Sequence, residues 1–120
     1  HGADEFKDIV RLDYNILEAL AKYNKLASLH QPYNLLIAKY FIDLKPEIKH
    51  YACFDTAFHQ TIDPINRAYA IPWKYNKLGV KRYGFHGLSY EYLTSMLPIL
   101  VGDELASGNW IMLHLGSGCS

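Results

Sequence analysis

The chain has 120 residues, which is enough for one domain or part of one. Half of the residues are hydrophobic, so a core can form, and 12 Lys and Arg residues balance 12 Asp and Glu residues. The resulting net charge of zero argues against the broad positive field of a nucleic-acid or anionic-membrane binder. We therefore expect neither nucleic acid nor a membrane among the partners.

Cysteine usage and the two ends of the chain give further expectations. Cys53 and Cys119 form no C-x-x-C pair, which argues against a zinc module and predicts two reduced thiols in the cytoplasm. The most apolar stretch, residues 35–44, contains two charges and is too short to span a bilayer. The chain begins at His1 without an initiator Met and stops in the glycine-rich run 116–120, so we expect a piece of a longer protein.

The first half of the chain predicts two helices. Residues 8–24 predict an amphipathic helix, because apolar side chains recur there at spacings of three and four: Ile9, Leu12, Ile16, Leu20 and Tyr23. A second helix is predicted over residues 33–44, with Pro32 in its first turn and Pro46 limiting its far end. Neither proline then interrupts the helical hydrogen bonds.

The middle of the chain predicts short strands between turns. Residues 51–54, Tyr-Ala-Cys-Phe, predict a buried strand that ends at Asp55. Residues 73–78 predict a short helix closed by Gly79, and residues 80–83 predict another short strand. These elements lead to the glycine-bounded turn described next.

The last third of the chain predicts a turn, a helix and a strand. The turn at residues 84–87 precedes a helix over residues 89–97, for which Ser89 is the candidate N-cap, and Pro98 ends that helix or starts the next segment. Residues 109–115 predict the clearest strand of the chain. Because helices alternate with short buried strands, the predicted class is α/β.

Two reactive side chains stand at predicted strand ends, where ligands bind in open α/β sheets. Asp55, between Phe54 and Thr56, has the chemistry to act as a base, orient the water shell of a metal ion or hold an arginine; the alternative is a carboxylate that caps a loop. His86 lies on the glycine-bounded turn and can donate to developing negative charge. Its alternative is a histidine satisfied within that turn.

Two further segments have the form of anion sites. Residues 114–118, His-Leu-Gly-Ser-Gly, place a Gly-x-Gly loop after a predicted strand, which suits a phosphate, although such a short pattern also arises by chance. His30 precedes the second helix, where an anion is favoured; the alternative is a capping or packing role. The chain has neither an H-E-x-x-H motif nor a G-x-S-x-G elbow, so a zinc site or a serine hydrolase lacks support.

Five blocks, taken in order, resemble the central region of the acetate kinase family. They are Leu-His-x-Pro-x-Asn-Leu, Phe-Asp-Thr-Ala-Phe-His-Gln-Thr, Tyr-Ala-Ile-Pro, Arg-Tyr-Gly-Phe-His-Gly-x-Ser and His-Leu-Gly-x-Gly, at residues 29–35, 54–61, 69–72, 82–89 and 114–118. The opening His-Gly also fits this family. The resemblance covers essentially the whole chain.

The resemblance implies a fold and a reaction. The fold is a partial sugar-kinase, Hsp70 and actin-like domain of the ribonuclease-H type, a mixed sheet with flanking helices. Residues 1–120 would cover mostly the N-terminal domain and the start of the second domain. The reaction is direct, reversible transfer of the γ-phosphoryl group of ATP to acetate, which yields ADP and acetyl phosphate. Propionate kinases share the same motifs, so the choice between acetate and propionate stays open. The family implies Mg²⁺ or Mn²⁺ and a cytoplasmic homodimer.

The resemblance also assigns roles to individual residues. Asp55 matches the catalytic Asp of the family, and His86 matches its transition-state-stabilising His. His30 matches another active-site His, while Leu29 and Phe85 match the apolar pocket for the substrate methyl group. The loop that binds the ATP phosphates corresponds to His114, Leu115, Gly116, Ser117 and Gly118. The resemblance places no metal ligand within this chain.

The chain departs from the family pattern in a few places. Members usually have Asn at the positions of Gln31 and Ser117, Ala at Cys119, and Thr-Ser-His where this chain has Leu-Ser-Tyr at 88–90. Other catalytic groups of the family precede His1 or follow Ser120, so we expect the 120-residue polypeptide alone not to turn over ATP and acetate. The alternative hypothesis is a truncated, non-catalytic relative that acts as a binding or interaction module.

Overall fold

The computed structural model describes residues 1–119, and helices dominate it around one small sheet. Strand β1 (Val10–Arg11) pairs antiparallel with β2 (Tyr51–Ala52), with Val10 opposite Ala52. The helices are α1 (Tyr14–Ala21), α2 (Gln31–Leu44), α3 (Pro64–Arg67), α4 (Trp73–Lys77), α5 (Gly87–Val101) and α6 (Asp103–Ala106), with a 3₁₀ helix at Phe58–Thr61. The α/β class is confirmed in this form, whereas the predicted mixed sheet is wrong for the described residues.

The first predicted helix is shorter than its apolar spacing suggested. Helix α1 begins at Tyr14 because Asp13 has extended backbone angles and its carboxylate accepts the N–H of Ile16, at 2.9 Å. The residues before this cap form β1 instead, so Ile9 is exposed and lies on no helix face. The prediction of a helix from residue 8 is therefore wrong, because an N-cap and a strand partner outweigh periodicity.

The observed bounds of α2 and α4 agree closely with the sequence predictions. Helix α2 ends at Leu44 as predicted and begins at Gln31, with Pro32 in its first turn. Helix α4 ends one residue before Leu78, and Gly79, at φ +87°, closes the turn that follows. Proline and glycine thus set these helix ends as expected, because each restricts or permits backbone angles in a known way.

Helix α5 differs from its prediction at both ends. It begins at Gly87, and His86 occupies the N-cap position in the left-handed conformation, at φ 57° and ψ 23°; the assignment of Ser89 as N-cap is wrong. The helix also continues through Pro98 to Val101 and stops at Gly102, whose φ is +82°. One proline removes a single backbone donor, and here the helix tolerates that loss.

Three predicted strands are reduced or absent. Residues 51–54 pair only at Tyr51–Ala52, and residues 80–83 contribute one isolated bridge, between Ala68 and Lys81. Residues 109–115 have no strand partner within the described part of the chain. An apolar run becomes a strand only when another strand accepts its hydrogen bonds.

The core lies where the start of the chain, α1 and β2 meet. Phe6, Leu20 and Phe54 form its buried centre, and the rings of Phe6 and Phe54 have centroids 5.2 Å apart. Partly buried apolar side chains of β1, α1 and α2 pack around them. Phe54 directly precedes Asp55, so the core anchors the segment that carries this carboxylate.

Candidate functional site

One cavity gathers all five of the predicted catalytic and substrate-binding residues. It has a volume of 1220 Å³, and its lining includes Leu29, His30, Asp55, Phe85 and His86. These residues come from the loop before α2, the segment after β2 and the turn before α5. The structure thus brings together the predicted catalytic and substrate-binding side chains from three separate stretches of sequence.

Asp55 accepts two hydrogen bonds from the turn that carries His86. Its Oδ2 accepts the backbone N–H of His86 at 2.7 Å, and its carbonyl oxygen accepts the N–H of Gly87 at 2.9 Å. The approach is so close that a Cβ added to Gly87 would lie 2.2 Å from the Asp55 carbonyl oxygen. Asp55 therefore has the structural role that the sequence analysis gave as its alternative, a carboxylate that caps a turn. Its catalytic role stays a prediction.

His86 lies between the cavity and the segment that carries His114. Its ring stacks on the ring of His114, with centroids 4.1 Å apart and planes 21° apart. Its left-handed backbone is uncommon for a residue with a side chain and costs roughly 1–3 kcal/mol, so the surrounding contacts must hold it. The two Asp55 bonds provide part of that support.

The predicted phosphate loop joins this site only in part. Gly118 lines the cavity, and a Cβ added to it would lie 3.9 Å from Nε2 of His86. His114 reaches the site through its ring stack, whereas Leu115, Gly116 and Ser117 are exposed and are not among the lining residues. Neither glycine has a left-handed φ. The structure thus gives the loop no conformation that requires glycine.

The stretch 54–61 contains site-building residues that the sequence reasoning missed. Thr56 is fully buried and its Oγ1 accepts the N–H of Gly2, while Gln60 donates to the carbonyls of Ala3 and Phe6. His59 contacts the carbonyl oxygen of Phe85 through Nε2, at 2.8 Å. A run of polar side chains directly after a buried strand was the available signal, because buried polar groups need partners.

Gln31 holds the start of α2 against the first residue of the chain. It is 3% exposed, its Oε1 accepts from the backbone nitrogen of His1, and its Nε2 donates to the carbonyls of His1 and Leu20. The neighbouring His30 makes no side-chain capping bond and faces the cavity. The buried Gln31 thus positions the exposed His30, although the sequence alone marked it only as a departure from the family.

Lys81, which lines the cavity, belongs to a small cluster of charged side chains. Asp4 forms ion pairs with Arg67, at 2.6 Å, and with Lys81. Burial alone would raise the pKa of Asp4, but the hydrogen bonds from Lys81 and Arg67 outweigh it and hold that pKa below its usual value. Burial likewise raises the pKa of the Tyr83 hydroxyl. Tyr83 therefore stays a neutral donor at physiological pH.

The described residues offer little to bind a metal ion directly. They contain no group of three or more His, Cys, Asp or Glu side chains placed to hold one, and Asp55 is the only carboxylate among those lining the cavity. Mg²⁺ in kinase sites keeps several waters and uses one or two carboxylates plus phosphate oxygens. The remaining oxygen of Asp55 fits a contact with such a hydrated ion.

Within residues 1–119, no helix combines the length and the apolarity that crossing a bilayer requires.

Known protein sequences resemble this chain over its whole length. A sequence profile of the Acetokinase family matches residues 1–120. The acetate kinase of Nitrobacter hamburgensis is 45% identical over the whole chain, which covers 30% of that protein. The chain thus spans about a third or less of the length of the curated relatives it matches.

Solved structures of acetate and propionate kinases resemble this chain as well. A propionate kinase from Francisella tularensis superposes with a TM-score of 0.89 at 33% identity, over 99% of this chain and 31% of that one. The acetate kinase of Porphyromonas gingivalis gives a TM-score of 0.77 at 36% identity, over 85% of this chain and 26% of that one. The family profile covers every residue, and the structural match extends over nearly all of them. The chain belongs to the Acetokinase family.

Proposed function

We propose that the whole protein carrying residues 1–120 transfers the γ-phosphoryl group of ATP to acetate or propionate. The products are ADP and an acyl phosphate, and the reaction is reversible. The observation that carries this proposal is the single cavity in which two histidines, one carboxylate and two apolar side chains meet: His30, His86, Asp55, Leu29 and Phe85. Kinases of acetate and propionate among the relatives support the same chemistry.

The chemistry needs no base to activate the acceptor. A short carboxylic acid has a pKa close to that of Asp or Glu, so it is already an anion at neutral pH. The obstacle is to bring this anion against a polyanionic phosphate. Catalysis must then consist of positioning and charge stabilisation, which is typical of phosphoryl transfer.

The cavity residues suit this task. His30 and His86 provide ring N–H donors for the carboxylate and for the transferring phosphoryl group, where such donors lower the barrier. Leu29 and Phe85 supply apolar surface for the alkyl group of the acid, and Asp55 holds His86 in place. When bound, Mg²⁺ would neutralise phosphate charge, with Asp55 as the nearest carboxylate of this chain.

Both acids belong to the proposal because they differ by one methylene. Such a difference is worth only about 1–3 kcal/mol in an apolar pocket. Leu29 is 79% exposed and Phe85 43% exposed, so these two side chains leave the cavity open rather than closing it around one methyl group. The metal, the phosphate role of residues 114–118, the homodimer, the cytoplasmic location and the two-domain division remain predictions from the resemblance.

Substitution of His86 and Asp55 tests the proposal. In the whole protein, acyl phosphate is trapped with hydroxylamine at saturating ATP and either acid. We expect His86→Ala to lower kcat by about 100-fold or more, the effect of losing a transition-state donor. Asp55→Ala should lower it at least as far, because the same change releases the turn that presents His86.

His50 provides the matched control. It is not among the described residues that line the cavity and lies on the loop before β2, where its Nε2 contacts the carbonyl of Lys45. We expect His50→Ala to retain the unsubstituted rate. If the unsubstituted protein forms no acyl phosphate, or if the His86 and Asp55 variants keep near-normal rates, the proposal is wrong. An inactive whole protein would favour a non-catalytic binding module.

A further inference from the structure

The turn that presents Phe85 and His86 is held at two points by one short segment. Asp55 accepts the backbone N–H groups of His86 and Gly87, as described above. Four residues later, His59 reaches the carbonyl oxygen of Phe85 with its Nε2, at 2.8 Å. Because a carbonyl oxygen only accepts hydrogen bonds, Nε2 of His59 must carry the hydrogen.

The ring of His59 is fixed by contacts on several sides. Gly84 packs directly against it, since a Cβ added there would lie 2.3 Å from Cγ of His59, and Gly84 has a φ of +80°. The rings of Phe58 and Tyr90 meet it edge-on, with centroids 5.5 Å and 5.8 Å away. Tyr90 is itself buried, on the first turn of α5. A ring held in this way keeps its donor aimed at Phe85.

His59 has no direct contact with the cavity. It is not among the described residues that line the cavity, whereas both residues next to its bond, Phe85 and His86, are. The left-handed conformation of His86 persists only if neighbouring groups impose it, because it costs roughly 1–3 kcal/mol. The hydrogen bond from His59 constrains the peptide group that joins Phe85 to His86.

We infer that His59 is a positioning residue for this site. Its Nε2–H, bonded to the Phe85 carbonyl, holds the turn so that Phe85 and His86 face the cavity. The effect on turnover rests on the proposed function, whereas the effect on the conformation of the turn does not. No bond to His59 is made or broken during the reaction.

Two substitutions separate the hydrogen bond from the bulk of the ring. His59→Phe keeps an aromatic ring and removes the donor, whereas His59→Gln retains an N–H donor at a similar reach. In the whole protein we expect His59→Phe to lower kcat by about 10- to 100-fold, the range for misplaced catalytic groups. We expect His59→Gln to retain most of the rate. The KM for ATP should be unchanged in both.

His50 again supplies the matched control, because its Nε2 also contacts a backbone carbonyl, that of Lys45 at 3.2 Å. His50→Phe and His50→Gln should leave kcat unchanged. If His59→Phe keeps the unsubstituted kcat, or if His59→Gln loses as much as His59→Phe, the inference is wrong.

Two measurements test the inference without an activity assay. Hydrogen exchange of the His86 and Gly87 amides should accelerate in His59→Phe and not in His59→Gln, while the amides of α1 keep their protection in both. In the unsubstituted protein, ¹⁵N-labelled histidine should show His59 as the Nε2–H tautomer. An Nδ1–H tautomer, or unchanged exchange at these amides, would overturn the inference. Absence of kinase activity together with the expected exchange would refute the proposed function alone.

Discussion

Gly87 is the residue at which one added carbon has the largest expected effect on the site. Its buried Cα faces the backbone of Asp55, and a Cβ there would come within 2.2 Å of a carbonyl oxygen. A backbone atom cannot rotate away as the end of a side chain can. The contact therefore couples Asp55, in the segment after β2, to the start of α5, and glycine alone permits this spacing.

Gly87→Ala should lower the free energy of unfolding of the whole protein by about 1–3 kcal/mol, the usual cost of overpacking. The change also forces Asp55 and His86 apart, so acyl phosphate formation should fall with it. Urea unfolding measures the first effect. Gly116→Ala is the control for stability, because a Cβ added at Gly116 meets no heavy atom of residues 1–119 within 4 Å. Equal unfolding midpoints for the two variants would contradict this account.

Most helices and both strands of this fold are short, and side-chain hydrogen bonds and ion pairs connect them. Arg67, at the end of α3, is 8% exposed and bonds both to Asp4 near the chain start and to the carbonyl of Arg82. Lys81 binds the same Asp4 carboxylate. One carboxylate thus ties α3 and the residues before the Gly84–Gly87 turn to the N-terminal segment.

Asp4 makes this link sensitive to acid. Its pKa is lower in the folded state than in the unfolded chain, so the link stabilises the fold above the unfolded value of about 3.9. That stabilisation is lost as the pH falls through the lower, folded pKa. The difference in unfolding midpoint between the unsubstituted protein and Asp4→Asn should therefore be largest near neutral pH and should shrink below about pH 4.

Urea unfolding of both proteins between pH 7 and pH 3 measures this difference. Glu47→Gln serves as the control, because Glu47 is an exposed carboxylate that forms no ion pair within residues 1–119. A difference between the unsubstituted protein and Asp4→Asn that stays constant over this range would contradict the link.

At the scale of the whole molecule, the described chain leaves much apolar surface uncovered. Its radius of gyration is 16.7 Å, against about 14 Å for a compact domain of this length. One face of α2 exposes six large apolar side chains, each at least 47% accessible: Tyr33, Leu36, Ile37, Tyr40, Phe41 and Leu44. The buried core, by contrast, centres on three residues. A core of this size offsets little of the conformational entropy lost on folding.

Residues 1–120 expressed alone should therefore have low stability. We expect them to bind the dye ANS strongly and to unfold in a broad transition at low urea, because apolar surface stays open to solvent. Fluorescence and circular dichroism measure both properties, with the whole protein as the comparison. Weak dye binding together with a sharp, cooperative transition would contradict this expectation.

Local chemistry predicted some elements correctly and failed on others for identifiable reasons. Proline and glycine placed the ends of α2 and α4, since their backbone limits act within a residue or two. The strand at residues 109–115 failed, because its apolar composition says nothing about which segment would pair with it. The prediction for α1 was too long for the same kind of reason: β1 pairs with residues 40 and 42 positions further along the chain, Arg11 with Tyr51 and Val10 with Ala52.

The candidate site shows the same division. The sequence by itself determined the family and singled out Asp55, His86 and the loop before α2, because motif order and residue chemistry are written along the chain. Only the tertiary structure decided that Asp55 binds the backbone of His86 and that His59 holds Phe85. It also decided that Ser117 stays outside the cavity. These outcomes depend on distances between segments far apart in sequence, and packing sets such distances once the whole chain has folded.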